Sequence, residues 1–141
     1  MSMTLSEVLA RHDIDVADDL LADIEVPVLC GPQRQGDVLI VPRARCGTAE
    51  MASGVEVGRS GVAVVRGEAT GNTHLLDAPD GGVWWMPAAG GGVTLGVVHV
   101  VEGAVAYLIH TDEHGSNAMG AGSYVLHGKR EQADEIRRVA D

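Results

Sequence analysis

The sequence predicts a mainly β chain, a small barrel or sandwich with a helical N-terminal arm and a short C-terminal helix. Three observations carry this reading. Glycine is confined to the middle of the chain, with none before Gly31 or after Gly128. Valine-rich runs separated by turn signals fill that middle, where β-branched side chains suit strands and glycine supplies the turns. The two glycine-free ends follow a helical spacing instead. Composition therefore divides the chain into an acidic helical arm (residues 1–30), a β-rich core (31–128) and a charged C-terminal helix or tail (129–141). With 141 residues, 45% of them hydrophobic, the chain suits one domain and is too apolar to be wholly disordered.

The arm comes first. Leu5, Val8 and Leu9 share one helical face, and Thr4 or Ser6 can cap it. His12-Asp13 interrupts the pattern. Val16, Leu20 and Ile24 then form a second stripe, with Leu21 beside it. Glu7, Asp13, Asp15, Asp18, Asp19, Asp23 and Glu25 face a single base, Arg11. An acidic amphipathic helix either folds back on its own core or serves as an arm for self-association or partner docking. Leu5, Val8, Leu9, Val16, Leu20 and Ile24 are the candidate interface residues of that arm.

Strands are expected over 37–41, 61–66, 73–76, 83–86, 93–101, 104–110 and 123–127. Pro79-Asp80-Gly81-Gly82 marks a turn before the fourth of these. Glu102-Gly103 reads as a two-residue hairpin turn joining 93–101 to 104–110. In that register His99 and His110 lie on one face, roughly 13 Å apart at about 3.3 Å per residue. Trp84-Trp85 sits on a strand, where neighbours point to opposite faces. One Trp then enters the core, and the other is a candidate interface anchor. In the tail, Lys129, Arg130, Arg137 and Arg138 balance Glu131, Asp134, Glu135 and Asp141. Ile136 and Val139 give it one apolar edge.

Charge narrows the function. The formal net charge is −10, and no Lys or Arg occurs from Gly67 to Gly128. Nucleic-acid affinity comes largely from clustered Lys and Arg, so a nucleic-acid partner is not expected. No apolar run approaches the ~18 residues of a membrane span, and the start lacks a signal peptide's regions. Cys30 and Cys46 read as reduced, partly buried thiols of a cytoplasmic protein.

Several short motifs stand out along the chain. They are Arg34-Gln35-Gly36-Asp37-Val38-Leu39-Ile40-Val41-Pro42, Gly67-Glu68-Ala69-Thr70-Gly71-Asn72-Thr73-His74, Asp112-Glu113-His114, Gly122-Ser123-Tyr124-Val125 and Lys129-Arg130-Glu131. As a set they resemble an uncharacterised family of small bacterial and phage-associated proteins, over residues 34–141. That resemblance implies no activity. It implies that His74 and His114 occupy recurrent positions, and that Asn72 stands where the family carries the first histidine of an H-x-H motif.

Five of the six histidines lie in the β-rich part. A turn at Asp112 would bring His110 and His114 together, with Glu113 or Asp112 as an oxygen ligand and His74 as a third nitrogen. Such a site suits Zn²⁺ or Fe²⁺. No G-x-S-x-G elbow and no phosphate-binding loop is present. Two readings follow. The first is a non-catalytic binding or assembly module without a cofactor, homo-oligomeric, with the arm available to a protein partner. The alternative is a metal-dependent hydrolase using His74, His110, His114 and Glu113.

Overall fold

A computed structural model describes residues 3–14, 24–58, 60–65, 73–89, 93–111 and 115–128. In chain order its elements are α1 (Leu5–Ala10), β1 (Val28–Leu29), β2 (Gln33–Gln35), β3 (Val38–Arg43), α2 (Thr48–Ala52), β4 (Val55–Glu56), β5 (Val62–Val65), β6 (His74–Asp77), β7 (Val83–Pro87), β8 (Thr94–Val100), β9 (Ala106–His110), β10 (Gly115–Met119) and β11 (Gly122–His127). The fold is mainly β. The strands form a five-stranded sheet, β1-β10-β9-β6-β5, and a six-stranded sheet, β2-β3-β11-β8-β7-β4. Both sheets keep edges, so the architecture is sandwich-like and not a closed barrel.

Strand alternation builds the shared core. Val98 and Val100 of β8, Val83 and Trp85 of β7, and Tyr124 and Leu126 of β11 meet Leu76, Ala106, Leu108 and Met119 of the other sheet. Gly96 makes room for the inward indole of Trp85. A Cβ there would stand 2.5 Å from Trp85 Cη2 and from the Met86 carbonyl. Trp85 is buried in this core, while Trp84 is half-buried on the opposite face, as alternation requires.

The outer face of the five-stranded sheet carries α1. Val8 and Leu9 pack on Tyr107, Ile109 and Ala118 and are fully buried. Thr4 caps the helix: its hydroxyl accepts from the Glu7 N–H at 3.2 Å, and the Glu7 carboxylate accepts from the Thr4 N–H at 3.0 Å. That second bond holds the Glu7 carboxyl below its ordinary range. Past the helix end, Arg11 Nε donates to Asp77 Oδ2 at 2.7 Å and Arg11 Nη2 to Oδ1 at 3.3 Å. His12 Nε2 stands 3.3 Å from Asp77 Oδ2. Asp77 is fully buried, and a buried carboxylate needs such compensation. The bond to Asp77 raises the guanidinium's proton affinity further.

Several expectations change. The turn at Glu102-Gly103 exists, with Ala104 N–H donating to the Val101 carbonyl at 3.0 Å and Gly103 at φ +82°. It is not a hairpin turn. β8 lies between β11 and β7, and β9 between β10 and β6, so the chain crosses there from one sheet to the other. Both strands bury an apolar face, and facing each other across the core satisfies both. The register that set His99 and His110 on one face therefore does not form. The arm is not wholly helical either, because β1 pairs in parallel with β10 at Val28↔Ala118 and Leu29↔Met119. Cys30 is exposed and Cys46 half-buried, both as thiols. Val16, Leu20, Leu21 and the C-terminal helix expected over 129–141 lie outside the described residues.

Candidate functional site

β6 and β9 run antiparallel with His74 directly opposite His110. Both side chains point inward, toward the six-stranded sheet, at one end of the sandwich. Their rings stack with centroids 4.4 Å apart and an interplanar angle of 11°. Both residues are buried. Gly36, in the tight β2–β3 turn at φ +54°, lies against the ring edges, and a Cβ there would sit 3.8 Å from both Cε1 atoms.

Amide side chains support the pair. His74 Nδ1 lies 2.9 Å from Gln35 Oε1. Gln35 Nε2 donates to the Leu108 carbonyl and, at 3.0 Å, to Asn117 Oδ1. Asn117 Nδ2 donates to Gln33 Oε1 at 3.1 Å and to the Arg34 carbonyl at 3.4 Å. Gln33 Nε2 donates to the Ala118 carbonyl at 2.8 Å. Gln33, Arg34 and Gln35 belong to β2, the others to the opposing sheet. The two sheets are thus joined at this edge by side-chain amides. Sequence reading missed β2 because Gln-Arg-Gln carries no apolar signal, although its alternation places both glutamines on one face.

The alternative sequence reading sets a metal among His74, His110, His114 and Glu113. His74 and His110 come together. His114 and Glu113 lie outside the described residues, in the connection between His110 and its register partner Gly115. Among the described residues, no group of three or more His, Cys, Asp or Glu is arranged to hold a metal ion. A histidine binds a metal in the plane of its ring, and these two planes run side by side. One ion meets both only if a ring turns.

A third histidine is buried, on the outer face of the six-stranded sheet. His99 Nδ1 lies 2.8 Å from Ser123 Oγ, which also accepts from the Cys46 N–H at 3.0 Å. Burial, then the nearby Arg45, lowers the proton affinity of His99, while Glu50 opposes this. Ser123 is only 2% exposed, so the pair ties the 44–54 segment to the sheet and offers no open nucleophile.

The candidate interface residues divide. Val8 and Leu9 are spent inside the chain, and Trp85 is core. Leu5 is half-buried and lines an apolar cavity of ≈ 230 Å³ with Ile24, Val26, Pro27, Gly115 and Ser116. Ile24 is 53% exposed, and Val28 and Leu29 of β1 are 37% and 45% exposed. The last two were not singled out in the sequence, since a two-residue strand leaves no periodicity to read.

Among the described residues, no helix is long and apolar enough to cross a membrane. No curated protein and no solved structure matches the chain. Over residues 34–129, from Arg34 through both stacked histidines, the chain matches a family described as Domain of unknown function (DUF8820), and it belongs to that family.

Proposed function

We propose that the chain is a non-catalytic binding and assembly module that associates with a second copy of itself through Ile24, Val28 and Leu29. The observation that carries this is an exposed apolar strip along a sheet edge. Exposed apolar side chains at a sheet edge are surface that a second chain can cover. Pro27 and Pro32 bracket β1 and remove two backbone donors, so the contact is made by side chains and not by a continued sheet. Residues 26–32 carry no charge, so the Val28–Leu29 part of two such strips meets without setting acids against acids, and exposed Glu25 beside Ile24 falls at its rim. Light scattering tests it. The wild-type protein gives a defined oligomer, and Val28→Lys with Leu29→Lys gives a monomer with an unchanged far-ultraviolet spectrum. A wild-type monomer at working concentrations would sink the reading.

A second reading keeps the metal-dependent hydrolase at His74, His110, His114 and Glu113. What favours it is the hydrogen bond from one ring nitrogen of His74 to Gln35, the support that metal-bound histidines usually have. It needs one imidazole to leave the stack. Near-stoichiometric Zn²⁺ or Fe²⁺ in the purified protein, lost on His74→Ala, would favour it over the first.

A further inference from the structure

We infer that Gln35 is a positioning residue that holds His74 as the Nδ1–H tautomer, so that His74 presents the lone pair of Nε2. This rests on the metal reading above only for what the lone pair would meet. The tautomer itself follows from the amide network. A main-chain carbonyl can only accept a hydrogen bond. Gln35 must therefore turn its NH₂ toward the Leu108 carbonyl, which leaves Oε1 facing His74 Nδ1. An oxygen with only acceptor capacity at 2.9 Å requires a proton on Nδ1.

The far end of the network fixes the same direction independently. Gln33 must turn its NH₂ to the Ala118 carbonyl, so its oxygen faces Asn117. Asn117 then donates to Gln33 and to the Arg34 carbonyl and accepts from Gln35. Reversing any one amide would set oxygen against oxygen somewhere along the chain. Three main-chain carbonyls, from Arg34, Leu108 and Ala118, thus dictate the state of a ring nitrogen on another strand.

The consequence is chemical. A neutral His74 of this form offers Nε2 to an electron-pair acceptor, either a divalent transition-metal ion or an N–H or O–H donor. It does not offer a proton to an acceptor from that nitrogen. Free imidazole side chains favour the opposite tautomer, so the assignment is not a default.

Multiple-bond ¹H–¹⁵N spectra of the full-length protein at about pH 8, above the usual imidazole pKa of about 6.5, read it directly. His74 is assigned by its absence in His74→Gln. The expected wild-type spectrum has a protonated, upfield Nδ1 and an unprotonated, downfield Nε2. Gln35→Met moves the pattern toward Nε2–H. An Nε2–H signal in the wild type overturns the inference, even if the variants fail to fold. So does an unchanged pattern in a folded Gln35→Met. Adding Zn²⁺ alone separates the two ideas: an Nε2 shift with Nδ1–H retained supports both, and no shift removes the metal reading while the tautomer stands as measured.

Discussion

The two sheets cover their outer faces by different means. On the five-stranded sheet, α1 inserts Val8 and Leu9 among Tyr107, Ile109 and Ala118, and Arg11 and His12 reach a fully buried Asp77. On the six-stranded sheet, the 44–54 segment with α2 contributes no buried helical residue. It is tied by one backbone bond to Ser123 and by an exposed Arg43–Glu50 pair at 2.7 Å. The first cover is part of the core, because removing it strands a charge and bares Tyr107, Ile109 and Ala118. The second is peripheral. Helical sequence pattern alone would rank them by length, yet α1 and α2 differ by a single residue. What separates them is what each buries.

That contrast can be broken at its strongest point first. Leu9→Ala is expected to cost about 3 kcal/mol, from lost burial plus the cavity left beneath α1. Arg11→Ala is expected to cost about 3 kcal/mol, because it leaves the Asp77 carboxylate buried with one neighbour fewer. Denaturant unfolding measures both. Thr4→Ala, which removes the cap, should cost about 1 kcal/mol. Across the molecule, Met51→Ala and Arg43→Ala should each stay within about 1 kcal/mol. A Met51→Ala effect equal to that of Leu9→Ala would erase the distinction. Hydrogen exchange sharpens it further. The Val8 amide, bonded to the Thr4 carbonyl at 3.0 Å, should open only with the whole fold. The Met51 amide, bonded to the Gly47 carbonyl at 3.1 Å, should exchange by local opening.

The smallest expected effect concerns pH. Burial lowers the folded-state proton affinity of His99, so the unfolded chain takes up this proton first as pH falls. The stability that His99 contributes is present above its unfolded pKa of about 6.5 and is lost as pH drops toward the lower folded value. His99→Asn should flatten the stability–pH profile in that window. An unchanged profile would place His99 outside this linkage.

Apolar runs and turn signals read much of this fold, and the failures fall where pattern does not report the partner. Valine-rich runs between turn signals located β3, β5 to β9 and β11 to within a few residues, and alternation set Trp84 and Trp85 on opposite faces. Alternation reports that one face is buried but not against what. β8 and β9 have the pattern of a hairpin and the turn residues of one, yet they face each other across the core. β10, Gly-Ser-Asn-Ala-Met, has no β-branched residue and gave no signal; its place comes from pairing with β9. At the candidate site, His74 and His110 were legible as a pair worth testing. Their support was not, because Gln33, Gln35 and Asn117 act through main-chain carbonyls that no side-chain pattern encodes.

The claim on which the functional account stands is that two copies meet along β1. Cys30 is exposed beside Leu29, so a spin label there, with Cys46 replaced by Ser, would probe that contact in place. Strong dipolar coupling between labels on separate chains, abolished by Val28→Lys with Leu29→Lys, is the expected result. Oligomers formed with no coupling at Cys30, or coupling that survives the lysines, would contradict it.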